Sequence, residues 1–95
     1  MLAINNMVWE TVDEMDLAVA SRLRTVRKRK KMSQAALAEI SGVSLGSLKR
    51  FEASGEISLK SLTKLAVVLD CSDDIRGIFS RVPYASIEEV IRENR

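Results

Sequence analysis

The sequence predicts an all-α domain of five short helices, flanked by an N-terminal arm and a short C-terminal appendage. Three observations carry that expectation. Apolar residues recur at helical spacing along most of the 95 residues, and serines stand just ahead of three of those stretches. Outside the first few residues, nothing has the period-2 alternation of a strand. The expected organisation is an arm over residues 1–16, a helical domain over 17–80 and a tail over 81–95.

The first helix is expected from about Asp16 to Lys30, with a start as early as Thr11 open to it through Val12 and Met15. Its stripe is Leu17, Val19, Ala20, Leu23 and Val26, and its basic residues lie mostly off that stripe. The second opens at Ser33, whose hydroxyl can accept an orphan backbone N–H, carries "QAALAEI" and ends before Gly42. The third opens at Ser44 with "LGSLKRFEA". The fourth opens at Ser58 with "LKSLTKLAVVLD", which puts Leu59, Leu62, Leu65, Ala66 and Leu69 on one face. A fifth, "DDIRGIF", follows Ser72 and offers Ile75, Ile78 and Phe79 to close the core. Pro83 then breaks the chain. Beyond it "SIEEVIRENR" has a Ser86 cap, Glu88 and Glu89 early, and apolar Ile87, Val90 and Ile91, a stripe it cannot bury alone.

Composition narrows the function. A chain of this length makes one core and is small for a multi-step enzyme. It has no histidine and a single cysteine, Cys71, which excludes a disulfide framework, a Cys/His zinc site and a histidine triad within one chain. Cys71 is expected as a small packing residue. No carboxylate pair, glycine-rich phosphate loop or activated nucleophile is visible, and Ser33, Ser44 and Ser58 are accounted for as caps. The sequence thus calls for no catalysis, no metal and no cofactor. No apolar run approaches the roughly 18 residues of a membrane span, and the start, "MLAINNMVWETVDEMD", is acidic where a secretory signal is basic. A soluble, cytoplasmic protein with no membrane partner is the expectation.

The net charge of +2 conceals a strong asymmetry. Residues 1–21 carry four acids and no base, while 22–31, "RLRTVRKRKK", carry seven bases and no acid. Such a run suits the last turn of a helix in any protein, but it also suits a nucleic acid. Residues 34–53 decide between the two. Two helices crossing near a right angle need a small residue where their backbones approach and a turn residue tolerant of positive φ; Ala38 and Gly42 stand at those places. Leu37, Val43, Leu48 and Phe51 supply inward anchors. This is the spacing of a helix-turn-helix. An ordinary helical hairpin uses similar caps, but it does not require all these constraints in register beside a basic helix.

Residues 17–79 resemble the XRE family of bacterial and phage regulators, which includes the lambdoid repressor and Cro domains. The likeness is carried by "LRTVRKRKKMSQAALAEISGVSLGSLKRFE" followed by "SLKSLTKLAVVLDCS". It implies a lambda-repressor-like fold that binds double-stranded DNA, with Gln34 contacting a phosphate and bracing the reading helix, and Arg27 paired with Glu52. It also implies homodimers on inverted repeats. More narrowly, "GSLKRFEASGEISLKSLTKLAVVLDCSDDI" with the acidic tail resembles antitoxin regulators encoded beside HipA-like kinase toxins, which would make such a toxin the partner. A stand-alone or phage-type repressor competes with that reading, as does a helix-turn-helix kept only for protein binding.

Because Leu48 and Phe51 turn inward, the outward base-reading set is Leu45, Gly46, Lys49 and Arg50, with Ala53 at its edge. Leu45 can touch a thymine methyl and Gly46 can admit close backbone approach, but many relatives place Arg, Gln or Ser there. Hydrogen-bonded discrimination therefore falls to Lys49 and, above all, to the planar fork of Arg50. Ser44 and Ser47 near the helix start suit a phosphate, as does Lys60 near the start of the fourth helix. From the basic run, Arg29 and Lys30 or Lys31 are the phosphate candidates. The C-terminal stripe and Trp9 are candidate dimer or partner surfaces, with packing on the domain's own core the simpler expectation for Trp9.

Overall fold

A computed structural model describes residues 9–81 and 91–94. In order the elements are α1 (Val12–Arg29), α2 (Gln34–Ser41), α3 (Leu45–Ser54), α4 (Leu59–Val68) and α5 (Ser72–Arg76), with no strand among the described residues. The fold is an all-α, lambda-repressor-like domain. No helix of the described residues is long and apolar enough to cross a membrane.

Local chemistry sets most helix ends. Ser33, Ser44 and Ser58 each accept the backbone N–H three residues on, from Ala36, Ser47 and Ser61. The first helix starts at its earlier expected limit. Thr11 accepts from the Glu14 amide and the Glu14 carboxylate accepts from the Thr11 amide, a capping box that brings residues 12–16 into α1 and out of the expected arm. At its other end, Lys31 takes a left-handed conformation (φ 58°), its amide donates to the Lys28 carbonyl and that of Met32 to the Arg27 carbonyl. α4 ends the same way: Asp70 is left-handed (φ 62°), and the amides of Asp70 and Cys71 donate to the carbonyls of Val67 and Ala66. Both are Schellman ends, and in both the following residue, Met32 or Cys71, packs on the core.

The core is Ala20, Leu23, Leu37, Ala38, Val43, Leu48, Phe51, Leu65 and Leu69. α1 packs on α3, α2 on both α3 and α4, and α5 against α4. The four anchors expected from the helix-turn-helix spacing are all buried, Leu37 and Leu48 completely. Burying each large apolar side chain is worth about 1.5–3 kcal/mol relative to leaving it in water, so this cluster sets how α3 is presented.

Elsewhere helical period did not decide burial. Leu59 is exposed because it occupies the first position of α4, past the covered part of that face, while Leu65, Ala66 and Leu69 are buried. Leu17 and Val19 of the α1 stripe are exposed as well. Ile78 and Phe79 do not close the core: α5 stops after five residues, and Phe79 lies in the turn beyond it with φ 60° and 90% of its surface exposed. Trp9 is 65% exposed and so does not pack into the core. Residues 91–93 are helical with Ile91 exposed. The rest of the expected tail stripe, Ile87 and Val90 included, lies outside the described residues.

Two glycines hold the ends of the crossing helices. Gly42 terminates α2 at φ +80°, with open space where a Cβ would be. Gly55 terminates α3 at φ +84°, and there a Cβ would come within 2.8 Å of the Asp16 carbonyl carbon and 2.9 Å of the Leu17 nitrogen. The end of α3 therefore rests directly on the backbone of α1, an approach only glycine permits.

Candidate nucleic-acid interface

The turn between α2 and α3 is Gly42, Val43 and Ser44. Val43 is buried under it, and the Ser41 hydroxyl accepts the Val43 amide at 3.1 Å while donating to the Ala38 carbonyl at 3.3 Å. Two short helices are thus locked at a fixed angle by a buried anchor and a side-chain stitch. On α3 this leaves Leu45, Gly46, Lys49 and Arg50 exposed, with Leu48 and Phe51 buried beneath them. Gly46 is helical, and a Cβ there would meet no atom within 4 Å. The fold has no need of a glycine at that position, where alanine would favour the helix by about 0.5–1 kcal/mol.

At the other end of α3, Glu52 accepts three hydrogen bonds. Arg27 Nε donates to Oε2 at 2.7 Å, Arg27 Nη2 to Oε1 at 2.9 Å, and Gln34 Nε2 to Oε1 at 2.8 Å. Arg27 Nη1 donates to the Met32 carbonyl at 2.8 Å. The ion-paired side chains of Arg27 and Glu52 are 7% and 5% exposed. Burial alone would raise the Glu52 pKa; the hydrogen bonds from Arg27 and Gln34, and the positive charges of Arg27 and Arg24, outweigh it and hold the group below its ordinary value. The cluster joins the end of α1, the start of α2 and the last turn of α3, so it fixes the orientation of α3.

An open depression lies over this cluster, lined by Arg24, Arg27, Ser33, Gln34, Lys49 and Glu52 among others. Gln34 keeps its second amide hydrogen after bonding Glu52, and Arg24 and Lys49 add positive charge. Arg24 was not singled out from the sequence, although its spacing from Arg27 puts both on one face of α1.

A second depression separates the start of α3 from the start of α4, with Ser47, Arg50, Glu56, Ile57, Ser58 and Ser61 around it. Ser44 Oγ accepts the Ser47 amide at 3.1 Å and donates to Ser47 Oγ at 2.8 Å, so of the two hydroxyls only that of Ser47 keeps its proton for an outside acceptor. Lys60 is exposed in the first turn of α4. Arg50 is not an isolated cation: its Nε and Nη2 donate to Glu56 Oε1 at 3.1 and 2.6 Å. Glu56 was not anticipated, and no spacing rule links the two across a turn. Arg29, Lys30 and Lys31 are exposed around the end of α1 and line neither depression.

A helix-turn-helix family model matches residues 23–75, more than half of the chain. No curated protein matches it.

Proposed function

Because the chain belongs to the helix-turn-helix family of XRE-type, DNA-binding transcription regulators, we propose that it is a repressor that reads inverted repeats as a homodimer. The observation that carries the reading is the exposed face of Leu45, Gly46, Lys49 and Arg50 on a helix whose angle is fixed by the Arg27–Glu52 ion pair and the Gln34 bond to it. The major groove admits a helix, and bases are read there by its outward N-terminal side chains. Arg50 forks to a guanine edge and Lys49 serves as a second donor. Leu45 meets a thymine methyl, and Gly46, which the fold itself does not demand, lets the backbone come close.

Phosphates take the remaining groups. Gln34 donates its free amide hydrogen at the first turn of α2, with Arg24 beside it. Ser47, held in place by the Ser44 cap, and Lys60 face the strand on the other side. Arg29 and Lys31 act at longer range, through charge. These contacts position the domain without choosing a sequence. Selection from a pool of random duplexes tests the division of labour. Arg50→Ala is expected to relax preference at one base pair by roughly 1–3 kcal/mol. Lys60→Ala should weaken all duplexes alike and reduce the slope of log K against log salt by about 1. Binding that ignores salt, or that neither substitution alters, rejects the reading.

The domain spans residues 17–80 together with the first turn of α1, and residues 81–95 supply the pairing segment. Two reading cations per subunit make doubling necessary for useful specificity. Exposed Ile91 in that segment, with Ile78 and Phe79 exposed just before it, supports an apolar contact there. Sedimentation of the full chain should give a dimer and of a chain truncated after Arg81 a monomer; a monomer in both defeats the tail interface. Within this reading, the likeness of residues 46–75 to antitoxins supports a HipA-like kinase toxin as partner, and a toxin-like reading frame next to the gene is the observation it requires. A phage-type or stand-alone repressor is what remains if that frame is absent.

A further inference from the structure

Arginine carries five N–H donors in a rigid fork, and the edge of the fork that is occupied determines what the other edge can meet. In Arg50 the side edge is occupied: Nε and one Nη2 hydrogen both point at Glu56 Oε1, leaving the two Nη1 hydrogens and the second Nη2 hydrogen at the free end. That end edge has the spacing of two parallel acceptors such as guanine O6 and N7. The backbone that carries Glu56 is itself held. The Glu56 amide donates to Ser54 Oγ at 3.2 Å, and Ser54 Oγ donates to the Arg50 carbonyl at 2.7 Å. One residue earlier the chain is fixed by Gly55, left-handed and pressed on the backbone of α1. Arg50 and Glu56 are 71% and 63% exposed in their side chains, so the pair adds little to stability.

We infer that Glu56 is a specificity-determining residue, which aims the free edge of Arg50 at a guanine and withholds its charge from phosphates. This rests on the reading of Arg50 as a base contact. A long cation at the groove edge gains affinity for any duplex by swinging to the backbone. A carboxylate on its flank opposes that in two ways. It occupies the side edge, one of the two a phosphate could use, and it is itself repelled by the strand. Glu56 thus exchanges non-specific affinity for discrimination, and does so without touching a base.

The experiment compares the full-length wild type, Glu56→Gln and Arg50→Ala on two duplexes: the site the wild type selects from a random pool, and a scrambled duplex of equal length. Glu56→Gln keeps the size of the side chain and removes the charge. Its thermal unfolding should match the wild type. Its affinity for the scrambled duplex should rise roughly threefold to tenfold, with the salt slope steeper by about 1. Discrimination at the base pair that Arg50→Ala relaxes should fall at least about fivefold. If Arg50→Ala relaxes a position while Glu56→Gln leaves either the salt slope or that discrimination at the wild-type value, the inference is overturned and the base-reading role stands. If Arg50→Ala relaxes no position, the base-reading role fails and the inference falls with it.

Discussion

Replacing Glu52 by alanine should lower the unfolding free energy by about 3–5 kcal/mol, read from urea denaturation at pH 7. The substitution leaves the Arg27 guanidinium, 6% exposed, with the Met32 carbonyl as its remaining hydrogen-bond partner and no anion. It also strands the Gln34 amide at the start of α2. The size of the loss comes from the orphaned charge, because a buried pair as a whole contributes little net stability. The double replacement Arg27→Met/Glu52→Leu separates the two. It should recover most of the stability while DNA affinity stays low, since no polar contact then sets the angle of α3. A loss below about 1 kcal/mol for Glu52→Ala would mean the pair is not buried as described.

The same group gives a pH signature. Its folded pKa is depressed below the ordinary value of 4.5, so the stability it contributes is complete above that value and disappears as pH falls through the folded pKa. Wild-type stability should therefore decline below about pH 4.5 more steeply than that of Glu52→Gln, which cannot titrate. Profiles of equal slope in that window would show that some other carboxylate governs acid unfolding.

Gly55→Ala is expected to be the most damaging single-methyl change in the chain, at about 3 kcal/mol or more. A left-handed alanine costs roughly 1–2 kcal/mol in backbone strain, and overpacking adds about 1–3 kcal/mol because the Cβ would meet α1 main chain at 2.8 Å, which cannot swing aside. Gly42→Ala is the internal control. It has the same sign of φ, +80°, but open space around the Cβ, so it should show the strain alone. Equal losses for the two would mean that α1 gives way at Asp16 and that the close approach is soft. Because Glu56 follows Gly55 directly, the substitution should also disturb the Arg50 pair and with it DNA selectivity.

These residues mark how far the sequence could be read. Ser33, Ser44 and Ser58 were legible as caps because a cap is made within three residues of itself. The capping box of Thr11 and Glu14 is equally local, although the apolar stripe itself begins only at Leu17. Leu37, Val43, Leu48 and Phe51 were legible because the helix-turn-helix spacing leaves them nowhere else to go. The contact of Arg27 with Glu52 came from family likeness, since nothing local joins residues 25 apart. Arg24 was legible only as one cation of the basic run, through its spacing from Arg27, and Glu56 was not legible at all. Nor was the exposure of Leu59, Ile78 and Phe79, because helical period says which residues share a face and not which parts of that face a neighbour covers.

By itself, then, the sequence determined the five helices, the serine caps of α2, α3 and α4, the buried anchors of the motif and the outward set from Leu45 to Arg50, all of which follow from interactions a few residues long. Only the tertiary structure decided the state of the charges. Glu52 lies buried between two other helices and Arg50 is held from its flank by Glu56, because Gly55 lets the chain fold back against α1, and whether a surface cation is free or held depends on what the fold sets beside it.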